Sequence, residues 1–97
     1  MVILSKLFNI SVRGGSMRFF TYQGKGNISG DRIRELRQKA RLSQSALAAQ
    51  MQVRGVMIDQ DAISRIERGA RIVTDYELRT IAKLFDTSTD WIVGADK

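Results

Sequence analysis

From residue 29 onward, apolar residues recur at the three- and four-residue spacing of helices, with polar residues between them on the opposite side. Ile33 and Leu36, joined by Leu42, give a first inward stripe, while Arg32, Arg34, Glu35 and Lys39 fall outward. Ser29 is placed to cap this helix and Asp31 suits the positive end of its dipole, so the pattern predicts a helix from near Ser29 to Ala40 or Arg41. A second helix follows from Gln44 to about Gln52, with Ser43 as its N-cap and Ala46, Leu47, Ala48 and Met51 on its apolar face. A third opens at Asp59 and buries Ile63 and Ile66, with Gln60, Asp61, Ser64 and Arg65 all polar around those two anchors. A helix that only completed a core would not need that selection.

Thr74 followed by Glu77 has the spacing of a capping box, in which two otherwise unpaired amides are satisfied reciprocally. The helix it opens carries Leu78, Ile81, Ala82 and Phe85 as its core stripe, and a last short helix from Ser88 brings Trp91 and Ile92 against that stripe. Trp91 reads as core or as a subunit contact rather than as a residue that stacks on bases. The expected fold is all-α, five helices over residues 29–94, preceded by an extension over residues 1–28. That extension contains Gly14-Gly15-Ser16, an internal Met17 and a turn-like Gly24-Lys25-Gly26 run. It reads either as a leader, with Met17 as the true start, or as an apolar arm for a partner.

Composition narrows the function. Sixteen Lys and Arg against ten Asp and Glu give a net charge of +6 and a pI near 10.3, which favours a polyanionic partner. At 97 residues and 43% hydrophobic, the chain matches one small domain and leaves no room for a separate ligand-sensing domain. With no Cys and no His, it lacks thiolate chemistry, the commonest metal ligand and the commonest general base. Neither an enzyme nor a cofactor or metal site is expected. The opening MVILSKLFNISV is interrupted by Ser5, Lys6 and Asn9 and is too short to span a membrane. The expected location is cytoplasmic, associated with the nucleoid.

The strings IRELRQKARLSQSALA at 33–48, AISRIERG at 62–69 and DYELRTIAKLF with DWI beyond it occur in an order and spacing that resemble the Cro/repressor-type helix-turn-helix family, the lambda-repressor-like or xenobiotic-response-element proteins. The resemblance implies that the helix after Asp59 lies in the major groove of double-stranded DNA, which makes Gln60, Asp61, Ser64 and Arg65 the candidates for base contact. Asp61 has an equally simple role at the positive end of that helix's dipole. By the same resemblance Gln44 contacts phosphate while bracing Gln60, and Arg37 pairs with Glu67 to join the first helix to the end of the third. Arg68 and Arg71 are the leading phosphate candidates, with Gln44, Arg54 and Arg79 behind them. Arg32, Arg34 and Lys39 read as phosphate contacts or as a solvated face, and Arg54 likewise.

The chain departs from the family in the turn, where QVRGVMI lengthens the usual connection. Gly55 is expected to take a positive φ, with Val53, Val56 and Ile58 pinning the loop to the core. The function implied is a transcriptional regulator, a repressor working as a homodimer on an inverted-repeat operator. The alternative is an antitoxin-like interaction module whose DNA binding is autoregulatory, with residues 1–28 as the surface for a protein partner.

Overall fold

A computed structural model describes residues 21–95, so the expectations placed on residues 1–20 lie outside the described residues. Among the described residues five α-helices follow one another: α1 (Gly30–Lys39), α2 (Gln44–Val53), α3 (Gln60–Glu67), α4 (Asp75–Leu84) and α5 (Thr89–Ile92). Among the described residues there is no strand, only an isolated antiparallel bridge between Tyr22 and Lys25, and no helix is long and apolar enough to cross a membrane. The core draws on every helix and on the turn: Ile33, Leu47, Ala48, Met51, Val56, Ile58, Ile63, Ile66, Ile81, Ala82 and Ile92 are buried. Leu36, Leu78, Phe85 and Trp91 pack half-buried around it.

The helices begin as their local chemistry dictates. The Ser43, Asp59, Thr74 and Ser88 side chains each accept from a first-turn amide, and Thr74 with Glu77 completes the capping box. α1 is the exception. Ser29 is buried but makes no side-chain cap; Asn27 replaces it, its Oδ1 accepting from the amides of Ser29 at 3.1 Å and Gly30 at 2.8 Å. The other end of the same side chain donates to the carbonyls of Ile66 (2.9 Å) and Arg71 (2.8 Å). One amide therefore ties the start of α1 to the end of α3 and the loop beyond. Gly26 adds a backbone bond to the Gly69 carbonyl at 2.7 Å, so residues just before position 29 are stitched to the helical domain.

All five helices end with one device. The residue after the C-cap turns left-handed and the next amide reaches back to the last turn: Leu42 to Arg37, Val56 to Met51, Ala70 to Arg65, Thr87 to Ala82 and Ala95 to Asp90. This explains the long turn after α2. Arg54, Gly55 and Val56 are its terminating motif, with Gly55 at φ 88°, leaving only Met57 to Asp59 as connection. Gln52 Nε2 holds that connection by donating to the Ile58 carbonyl at 2.7 Å. Val56 and Ile58 are buried as expected, but Val53 is 80% exposed, because as the last residue of α2 it falls on the side of the helix opposite Leu47 and Met51.

At two of the five ends the left-handed residue is not glycine but Arg41 (φ 58°) or Asp86 (φ 54°). An L side chain there crowds its own backbone. Arg41→Gly is expected to raise stability by about 0.5–1 kcal/mol, the relief of that crowding less the larger unfolded-state entropy of glycine; chemical denaturation measures it.

Candidate DNA interface

α2 and α3 pack against each other on their apolar sides, which leaves the opposite side of α3 to solvent. Its outward stripe is Gln60, Asp61, Ser64 and Arg65, and Arg68 continues it past the helix end. Gln60, Asp61, Arg65 and Arg68 are exposed and Ser64 is half-buried. Asp61 and Arg65 pair with each other at 2.9 Å across one turn, with side chains 65% and 57% exposed. An exposed pair of this kind contributes a few tenths of a kcal/mol, about 0.3–0.5. It is easily exchanged for contacts to another polar surface.

Behind this face lies a buried polar chain. Glu67, with a side chain fully withdrawn from solvent, accepts from Arg37 Nε at 2.6 Å and Nη2 at 2.9 Å. Arg37 also donates to the Leu42 carbonyl (2.8 Å), so it secures the end of α1 as well. Gln44 Nε2 donates to Glu67 Oε1 at 3.1 Å, and Gln60 Nε2 donates to Gln44 Oε1 at 2.9 Å. Arg34 adds its guanidinium at 3.5 Å from Glu67 and a bond to the Glu67 carbonyl, so it leans inward rather than standing free. Burial pushes the Glu67 carboxyl up, but the bonds from Arg37 and Gln44 outweigh it and hold the group below the ordinary carboxylate range. Its bonds to Glu67 raise Arg37, outweighing the opposite effect of burial.

The remaining sequence candidates separate in the structure. Arg71 is not available to phosphate: it grips the buried Glu77 through Nη1 and Nη2, each at 3.0 Å, and donates to the Ile72 carbonyl. Glu77 thus serves the capping box and an ion pair together. Burial pushes Glu77 up while Arg71 and Thr74 pull it down further, leaving it below its usual range. Arg54 donates to the Gln50 carbonyl and side chain on the exposed end of α2. Arg68 and Arg79 are exposed and make no side-chain bond among the described residues. Arg32 is neither solvated nor free: it donates to the Trp91 carbonyl at 2.7 Å and lies 4.6 Å from the centre of its ring. That contact covers part of Trp91, and Ile92 is fully buried, so these two side chains close the domain.

The two buried carboxylates set the response to acid. A carboxyl whose folded pKa lies below its unfolded value, about 4.3 for Glu, stabilises the fold fully above that value and loses its contribution as pH falls through the folded pKa. With no His in the chain, the melting temperature is expected to be nearly flat from about pH 5 to 8 and to fall steeply below about pH 4. Glu67→Gln and Glu77→Gln should each flatten part of that acid limb; a melting series across pH checks both.

The Helix-turn-helix family model matches residues 33–92. Among solved structures, the P22 c2 repressor protein in complex with synthetic operator 9T in the presence of Tl+ is similar, with a TM-score of 0.60 and 28% sequence identity over 72% of this chain and 98% of that chain. No curated protein matches.

Proposed function

Because the chain belongs to the helix-turn-helix family, we propose that it is a sequence-specific DNA-binding regulator of transcription, a repressor that binds an inverted-repeat operator as a homodimer. The observation that carries the reading is the polar stripe of α3, held outward by an apolar side and braced from behind by Gln44 and Glu67. The P22 c2 repressor protein, similar along nearly its whole length, was solved on an operator. Docked with α3 in the major groove, Gln60 and Arg65 discriminate bases and Asp61 and Ser64 complete the surface, with Asp61 releasing Arg65 from their exposed pair. Arg68, Arg79, Arg54 and Gln44 hold phosphate, and Arg71 drops out because its guanidinium is committed to Glu77. Phosphate contacts supply most of the affinity and the α3 side chains the selection. Occupancy of a promoter then excludes polymerase.

Selection of bound DNA from a random pool tests this reading, with an enriched inverted repeat as the expected result; a pool that stays unenriched at moderate salt rejects it. Alanine variants then assign the roles. Gln60→Ala and Arg65→Ala are each expected to cost roughly 1–3 kcal/mol on the selected site and to flatten preference at one base pair. Arg68→Ala is expected to weaken all DNAs alike and to lower the salt slope by about one.

A further inference from the structure

We propose that the turn over residues 22–25 is a second DNA-contacting element, in which Lys25 holds the backbone phosphate next to the one held by Arg68; the inference rests on the reading of α3 as the helix in the groove. The turn lies outside residues 33–92, which the family model matches. Its shape is set locally. Tyr22 and Lys25 exchange both backbone hydrogen bonds, at 2.6 and 3.0 Å, and the two residues between them, Gln23 (φ 53°) and Gly24 (φ 80°), are left-handed, as a two-residue hairpin turn requires.

The turn is fastened to the chain that leaves α3. Gly26 donates to the Gly69 carbonyl, and Asn27 to the carbonyls of Ile66 and Arg71; a Cβ at Gly26 would stand 2.9 Å from the Arg71 carbonyl carbon, so only glycine lets the two backbones lie this close. Lys25 is thereby laid across Gly69. A Cβ at Gly69 would lie 3.3 Å from Lys25 Cδ and 3.5 Å from its Cγ, which means that the methylene stem runs over the residue that follows Arg68. The outward stripe of α3 ends at Arg68, and Lys25 adds one more cation to it. Both side chains are exposed, and neither makes an ion pair among the described residues. The hollow between the turn and the domain is lined by these two cations and by two carboxylates, of which Glu67 is already paired with Arg37, leaving Asp31 alone against both. Two cations at the end of a helix in the groove meet the phosphates that wall it, and a contact of this kind adds affinity without sequence preference.

The test is a salt titration of the full chain on its selected operator and on unrelated duplexes. Lys25→Met keeps the methylene cover over Gly69 and removes only the charge. It is expected to weaken binding to all duplexes alike, by roughly threefold to tenfold at moderate salt, and to lower the salt slope by about one, with the melting temperature and the selected motif unchanged. Lys25→Arg is expected to restore the slope. Ethylation interference is expected to place the phosphate lost in Lys25→Met beside the one lost in Arg68→Ala. Lys83→Met, which removes the same charge from the last turn of α4, is the control and is expected to leave the slope as it was. A slope unmoved by Lys25→Met, or one lowered equally by Lys83→Met, overturns the proposal. A random pool that stays unenriched overturns instead the reading of α3 as the groove helix, so the two failures are distinguishable.

Discussion

Arg37→Leu is expected to lower folding stability by about 3–5 kcal/mol, the largest effect of any single change among the polar residues of this domain. The cost arises from what is left behind. Glu67 has no exposure to solvent, so without Arg37 its charge keeps only Gln44 and the longer contact to Arg34 at 3.5 Å. Stability totals for small domains are about 5–15 kcal/mol, so this change alone brings the protein close to unfolding at moderate temperature. Removing both partners, as Arg37→Leu with Glu67→Leu, leaves no stranded charge and is expected to cost less than Arg37→Leu alone. Urea denaturation of the two singles and the double measures the coupling. Small, additive losses would mean that the pair contributes little and that Glu67 finds solvent when Arg37 is gone.

What made this pair legible was family resemblance, since Arg37 and Glu67 lie far apart in sequence and no local periodicity connects them. Local signals served where the physics is local. Ser43, Asp59, Thr74 and Ser88 cap the helices expected of them because a side-chain oxygen needs only the next turn of backbone to act. The same logic misplaced the cap of α1: Ser29 has the right chemistry, but Asn27 can also reach the carbonyls of Ile66 and Arg71, and that long-range gain was invisible in the sequence. Gly30 belongs to the same junction, for a methyl group at that position would overlap the Ile66 carbonyl oxygen.

Cations were the hardest to assign. Arg32, Arg71 and Arg79 are alike as residues, yet one covers Trp91 and another is held by Glu77, while the third stands exposed. Net charge counts all three equally, and only the packing of α4 and α5 sorts them. The turn after α2 misled for a different reason. Its extra residues form the terminating motif of a helix, so the loop is shorter in effect than in sequence, and Val53, the last residue of α2, faces outward.

Inserting about five base pairs between the halves of the selected operator is expected to weaken binding by about a hundredfold or more. One domain of this size offers a single eight-residue α3, which reaches too few base pairs to single out an operator among many competing sites. Two copies related by a two-fold axis double the sequence read, provided both α3 helices enter successive major grooves on one face of the duplex, about 34 Å apart. Half a helical turn of extra DNA carries the second groove to the opposite face, so that one α3 must let go. The second binding event then loses its intramolecular advantage, whereas a full-turn insertion of about ten base pairs keeps both grooves on one face and weakens binding far less unless the dimer is rigid. Titration of the three duplexes, with sedimentation to count chains on each, separates the cases. Equal affinity for all three, or one chain bound per duplex without preference for paired sites, would sink the two-fold dimer and leave a monomer that reads a single half-site.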